Sequence, residues 1–177
     1  MNWNVRPEFF GTSEATRLRR DYYDEVASRY WRRPATAAEI DEGLADDPPD
    51  RLTPPTGEFV VGRYEGVPQS CGGVLLLDGP GSRTPELTGA PGPARVAELT
   101  RVYVRPAVRG TGGGHALLAA LEAAARRLGA TRMVLDTRLD LVEARGLYAA
   151  CGYAEIPAYS EGPYSEIWFG KDLAAAP

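Results

Sequence analysis

The stretch RPAVRGTGGGHALL, residues 105–118, places one arginine and four glycines between a proline and apolar residues at helical spacing. Each glycine costs roughly 1 kcal/mol of ordering free energy relative to alanine in a helix. Gly110, Gly112, Gly113 and Gly114 therefore point to a need for bare backbone at the mouth of a helix. A helix opening near Gly113 starts with unpaired N–H groups and a positive dipole end, and no acid stands in its first turn to meet them. Such a start fits an anion: glycines let successive N–H groups turn inward and phosphate oxygens come close, and Arg109 adds a direct charge. A flexible turn joining strand to helix has the same glycine content, so spacing must separate the two readings.

A dinucleotide GxGxxG read from Gly110 requires glycine where His115 stands, and read from Gly112 it requires glycine where Leu117 stands. A Walker A loop ends in GK[ST], and this segment holds no lysine. What remains is Arg-x-x-Gly-x-Gly, present as Arg109-Gly110-Thr111-Gly112-Gly113-Gly114, directly after a strand ending Val-Tyr-Val-Arg-Pro.

Other classes of chemistry are disfavoured by composition. The chain has 177 residues, suited to a single domain spanning 1–177, and no apolar run approaches the roughly 20 residues of a membrane span. MNWNVRPEFF carries no secretory pattern, which makes a cytoplasmic location the expectation. One histidine and two distant cysteines, Cys71 and Cys151, argue against a zinc site, a Ser-His-Asp triad and a disulfide framework but leave a carboxylate-only metal site open; no metal is expected, and the cysteines read as small apolar packing. A formal charge of -4 disfavours nucleic acid. The charge is uneven: seven arginines against two acids from Arg101 to Arg138, and eight acids against two arginines from Glu39 to Glu65. One part would favour an anion and another a cation, or both belong to an ordinary mixed surface.

Leu18, Tyr22, Val26 and Tyr30 recur every fourth residue and predict an amphipathic helix from Ser13 to Trp31. Thr36 with Glu39 forms a capping-box pattern ahead of a short second helix carrying Ile40 and Leu44. Strands are expected at Glu58–Tyr64 and Ser70–Leu77 around the turn Glu65-Gly66, and at Arg95–Val104, after a Gly/Pro loop over 78–93. Leu117, Leu121, Ala124, Ala125 and Leu128 give one helical face, closed by Gly129, and a strand follows at Thr131–Thr137. Asp140 and Glu143 have capping-box spacing before a helix through Tyr148, and Tyr153–Ile156 and Tyr164–Lys171 close the pattern. The class is mixed α/β or α+β.

ELTRVYVRPAVRGTGGGHALL, 98–118, resembles the acyl-CoA-binding motif of the GNAT N-acyltransferases, and ARGLYAACGY, 144–153, resembles their LYxxxGY motif, in family order. The resemblance implies a central mixed, largely antiparallel sheet, splayed beside the strand 95–104 and flanked by helices on both faces. It implies an acyl-CoA-binding core over 58–171 and a helical substrate-side lobe over 13–57. Acetyl-CoA is the implied cosubstrate. Its pantetheine arm is expected along Val102, Tyr103 and Val104, and its pyrophosphate on the N–H groups of Arg109, Gly110, Thr111, Gly112, Gly113 and Gly114, with His115 in the first turn beyond.

Acyl transfer to an amine needs a proton acceptor, a polarised carbonyl and a proton for the departing thiolate. Glu98, at the start of the motif strand, is the candidate base through water; it has an equally simple reading as a strand carboxylate facing solvent or paired across the sheet with an arginine. Tyr148 reads from spacing alone as core packing on a helix; as the match to the motif tyrosine it is the candidate acid, since a phenol of pKa near 10 is protonated at neutral pH. The Val102 N–H is the implied polariser. A family asparagine seven residues before Tyr148 is replaced by Leu141.

The acceptor is expected to be a small-molecule or protein amine. Asp41, Glu42, Asp46 and Asp47, with Tyr22, Tyr23, Tyr30 and Trp31 nearby in sequence, are candidates for drawing in a cation, those aromatics reading equally as core, and Tyr159, Glu161 and Tyr164 are candidates for lining the same side. A homodimer through exposed sheet edges and C-terminal strands is expected. A non-catalytic acyl-CoA-binding sensor or partner module is the alternative, opposed by the joint presence of Glu98 and Tyr148.

Overall fold

The computed structural model describes residues 2–47, 49–77 and 95–173. The elements are β1 (Trp3–Pro7), α1 (Ser13–Trp31), α2 (Ala37–Ala45), β2 (Gly57–Tyr64), β3 (Val67–Leu76), β4 (Val96–Val104), α3 (Gly113–Arg127), β5 (Arg132–Thr137), α4 (Val142–Ala150), β6 (Ala154–Ile156) and β7 (Ile167–Asp172), with a 3-10 turn at Pro106–Val108. The Gly/Pro loop expected over 78–93 lies outside the described residues.

Seven strands form one sheet in the order β1-β2-β3-β4-β5-β7-β6. Among the described residues only β4 and β5 run parallel, and all other neighbours are antiparallel. Strand alternation sends successive side chains to opposite faces. Val60, Val74, Leu76, Ala97, Leu99, Met133 and Leu135 pack on the face covered by α3 and by Tyr148 of α4. Phe59, Val61, Cys71, Leu75 and Tyr103 face α1 through Ala15 and Leu18. This is the mixed, largely antiparallel α/β sheet with helices on both faces that the motif pattern implies.

The β2–β3 hairpin turns on Glu65 and Gly66, both with positive φ, as the right-handed strand twist favours for a two-residue connection. β3 accordingly begins at Val67, three residues earlier than the apolar run predicts. Thr36 and Glu39 make the expected capping box on α2. The box expected at Asp140 and Glu143 does not form: α4 starts after Leu141 with no side-chain cap, because Asp140 instead holds the Arg138 guanidinium through two bonds of 2.8 Å. Tyr30, expected on the buried stripe of α1, sits at its exposed end. β1 has no counterpart among the expected strands, since a five-residue edge strand draws its stability from pairing with β2 rather than from a local pattern.

Two irregularities in β4 shape the site. It pairs with β5 only from Val96 to Glu98, so beyond Glu98 its β5-facing edge has no strand partner among the described residues. Against β3, Gly73 aligns with Thr100 and Cys71 with Tyr103, which leaves one extra residue in β4. That bulge carries Arg101 at φ 52°.

Candidate active site

The diverging ends of β4 and β5 open a cleft of roughly 1140 Å³, bounded by α1, α2, the start of α3 and α4. It collects Glu98, Val102, Tyr103, Val104, Arg109, Gly110, Gly112, Gly113, Gly114, His115 and Tyr148 from separate elements. Thr111 is the expected residue that does not line it. Its hydroxyl donates to the Val108 carbonyl at 2.7 Å and accepts from the Trp3 indole N–H at 3.0 Å, turning the side chain toward β1.

The glycines divide into two kinds. Gly110 and Gly112 have φ of 80° and 93°, in a region other residues rarely adopt, and a side chain there would meet open space. Gly113 and Gly114 have a packing reason the motif does not reveal: a methyl group at Gly113 would overlap the Trp3 ring, and one at Gly114 would come within 2.8 Å of Leu147. Gly113→Ala is expected to lower stability by about 1–3 kcal/mol through this overpacking, read by thermal unfolding. An unchanged melting temperature would show that the indole moves freely.

α3 begins with no side-chain cap and no acid in its first turn. The N–H groups of Gly113, Gly114 and His115 have no acceptor among the described residues. The loop therefore fits a pyrophosphate through main-chain donors and the helix dipole. Side-chain charge contributes less than the arginine count predicts. Arg101, Arg105, Arg109, Arg126, Arg127, Arg132 and Arg138 are each ion-paired with a carboxylate, so the positive stretch leaves no free basic patch. Arg109, expected on the pyrophosphate, folds back onto the Val104 carbonyl at 2.8 Å and Glu25 at 2.6 Å.

Glu98 sits where β4 leaves β5. It accepts the Tyr159 hydroxyl at 2.9 Å through Oε2, and no arginine pairs with it among the described residues, which removes the ion-pair reading. Burial pushes its carboxyl above the ordinary range; Tyr159 opposes that shift and nearby Asp136 adds to it. Asp136, two residues beyond the Val134 that aligns with Glu98, also lines the cleft. It accepts from the Ser160 hydroxyl at 3.1 Å, and Ser160 accepts from the Trp168 indole N–H at 2.9 Å. The loop after β6 thus holds both carboxylates through consecutive residues. Asp136 escaped the sequence reading although it is the acid in the otherwise apolar core of TRMVLDT.

Tyr148 packs its ring against Tyr153 and Phe169 and is 6% exposed. Burial pushes its phenol up, so the proton is held firmly. No hydrogen bond to its hydroxyl is present among the described residues, and Tyr148 lines the cleft.

A family model for the GNAT acetyltransferases matches residues 14–153. The chain belongs to the GNAT acetyltransferase family. It is 31% identical over 133 residues to an uncharacterised N-acetyltransferase of Schizosaccharomyces pombe, covering 75% of this chain and 72% of that one. An aminoglycoside N(6')-acetyltransferase type 1 of Stenotrophomonas maltophilia is 42% identical over 53 residues, 30% of this chain and 35% of that one. The PaiA N-acetyltransferase of Thermoplasma acidophilum, solved with coenzyme A, shares the fold with a TM-score of 0.66 at 13% identity, over 97% of this chain and 99% of that one. Among the described residues of this GNAT chain no helix is long and apolar enough to cross a membrane, and no group of three or more His, Cys, Asp or Glu is disposed to hold a metal ion.

The acidic lobe separates into different roles. Asp47 is buried and receives Arg19 at 2.5 Å, Tyr23 at 2.6 Å and Arg101 at 2.8 Å, so it anchors the fold instead of drawing in a cation. Asp41 pairs with Arg20. Glu42 and Asp46 line the cleft with no cationic partner among the described residues. Tyr30 meets Trp31 and Tyr164 edge to face, with ring centres 4.8 and 5.1 Å apart, at the cleft's outer end. Glu161 is exposed and does not line it.

Proposed function

We propose that this chain moves the acetyl group of acetyl-CoA to a primary amine by direct attack within a ternary complex. The observation that carries the reading is that Glu98 and Tyr148 line one cleft, together with a helix start whose N–H groups lack acceptors. Acetyl-CoA supplies a thioester, whose acyl carbon accepts the amine and whose sulfur leaves. The main-chain donors around Gly112 to His115 hold the pyrophosphate, and the unpaired edge of β4 receives the pantetheine amides. Arg109 occupies the Val104 carbonyl, and the Val102 N–H serves as the polariser of the acyl oxygen.

Glu98 takes the proton from the incoming ammonium group through a water at Oε1, since Oε2 is engaged by Tyr159. Its elevated pKa brings it closer to the amine it deprotonates, which improves a base near neutral pH. Tyr148 keeps its proton in the resting site, passes it to sulfur as negative charge develops there, and is reprotonated by the second proton the nitrogen gives up as the amide forms. The helical lobe over 13–57 forms the acceptor side and 58–171 the cofactor side of one domain. A cytoplasmic location and a dimer through the outer sheet edges belong to the same proposal, the latter read by sedimentation.

The test is calorimetric titration with acetyl-CoA beside thiol release from a panel of amines. Selective acetyl-CoA binding with amine-dependent thiol release is expected; absence of binding at millimolar ligand removes the reading. Tyr148→Phe is expected to slow turnover by roughly 10²-fold or more while acetyl-CoA affinity holds. Unchanged turnover would remove Tyr148 as the acid.

A further inference from the structure

The charges along the cleft fall into two groups. Arg29, Arg101, Arg109 and Arg138 line it, and all four are engaged by carboxylates: Arg29 by Glu143, Arg101 by Asp47, Arg109 by Glu25 and Arg138 by Asp140. Glu42 and Asp46 on the α2 side, and Glu98 and Asp136 at the strand ends, line the same cleft without a cationic partner among the described residues. Glu39 is not in this set, because Arg33 holds it. Asp47 also holds Arg19, so one positive charge stands against four acids; the net charge of the cleft is still negative, and it comes from two separate parts of the wall. Tyr148, 6% exposed and lining the same cleft with no hydrogen bond to its hydroxyl among the described residues, points to a ligand completing this space, the acyl donor and the amine meeting beside it. Tyr164 adds an exposed aromatic ring with no arginine over its face among the described residues, and such faces attract ammonium groups.

We propose, resting on the transferase reading above, that the acceptor is a small amine carrying at least two ammonium groups and no carboxylate. One amino group meets Glu98 and Asp136 and is acetylated. A second charge is held at the α2 end by Glu42 and Asp46. A free amino acid is a poor fit, because its carboxylate would face four unpaired acids and find every lining arginine already occupied. Electrostatic complementarity of this kind selects among amines more strongly than shape does in an open cleft.

The experiment compares 1,4-diaminobutane, n-butylamine and alanine as acceptors at pH 8, by thiol release, with acetyl-CoA binding measured separately by calorimetry. The diamine is expected to exceed the monoamine by about tenfold or more in kcat/KM, the effect of two modestly screened charge contacts, and to exceed alanine by more. The double variant Glu42→Gln, Asp46→Asn is expected to raise KM for the diamine by about tenfold and to shrink its advantage over the monoamine, with kcat for the diamine retained. Both positions are exposed, and a melting temperature matching the wild type excludes misfolding as the cause. Equal use of diamine and monoamine, preference for alanine, or a double variant with unchanged selectivity overturns the inference and leaves the transferase reading standing. Acetyl-CoA binding without transfer to the diamine also overturns it. Failure to bind acetyl-CoA removes the transferase reading, and the inference with it.

Discussion

Glu98→Gln is expected to lower kcat/KM for amine acetylation by roughly 10²- to 10⁴-fold, the range over which a positioned general base contributes. The substitution keeps size and a hydrogen-bonding oxygen for Tyr159, so acetyl-CoA affinity is expected to hold. The pH profile separates this role from a structural one. A base works when deprotonated, and burial raises the Glu98 pKa, so wild-type activity is lost as pH falls through a value above the ordinary carboxylate range. The glutamine variant loses that acidic limb. Tyr159→Phe removes a donor that stabilises the carboxylate form, so it moves the limb to still higher pH. Stability carries the opposite sign. A carboxyl whose folded pKa lies above its unfolded value makes the protein less stable as pH rises through that window, because the native state must give up a proton it binds more tightly. Glu98→Gln is therefore expected to raise the melting temperature at pH 8 while activity collapses. A variant that keeps both the activity and the acidic limb would exclude Glu98 as the base and direct attention to Asp136.

Asp47→Ala is expected to cost roughly 3–5 kcal/mol, because it strands buried positive charge instead of removing a complete pair. The Asp47 carboxylate is almost fully enclosed, and three donors converge on it: Arg19 and Tyr23 from α1 and Arg101 from the β4 bulge. For a domain of this size the loss corresponds to a fall in melting temperature of about 10 °C. Asp47→Asn, which retains an acceptor oxygen and the shape, is expected to cost less. Function follows from position. Arg101 stands one residue from Val102, and its anchoring to Asp47 helps hold the bulge that shapes the cleft-side edge of β4. The alanine variant is therefore expected to weaken acetyl-CoA binding even at temperatures where it stays folded, as read by calorimetry at 15 °C. A variant as stable as the wild type would show that Arg19 and Arg101 find water or other partners when the carboxylate is gone.

These two carboxylates mark where local pattern stops being informative. Asp47 and Asp46 are neighbours in one acidic run, yet Asp47 holds two arginines and Asp46 faces the cleft. No local rule distinguishes them, because the partners of Asp47 lie 28 and 54 residues away. The arginine-rich stretch from Arg101 to Arg138 teaches the same point: its charge is cancelled by acids elsewhere in the chain, such as Asp21, Glu25, Glu58 and Asp172. Where partners are close in sequence, local pattern is enough to set the structure. Thr36 and Glu39 cap α2, the four-residue spacing in α1 makes a helix over Ser13–Trp31, and Glu65-Gly66 turns the hairpin.

By itself, the order of residues determined the helices and most of the strands, the glycine-rich start of α3 with its unmet N–H groups, and the two motifs that carry the family. Those features depend on backbone conformation and on neighbours within one or two turns. Only the tertiary structure decided that Trp3 closes against Gly113, that Tyr159 and Ser160 hold Glu98 and Asp136, and that four acids face the cleft without a cationic partner among the described residues while its arginines are all engaged. Charge and hydrogen bonding act through space, and pairing across a sheet or between helices sets which groups remain available for chemistry.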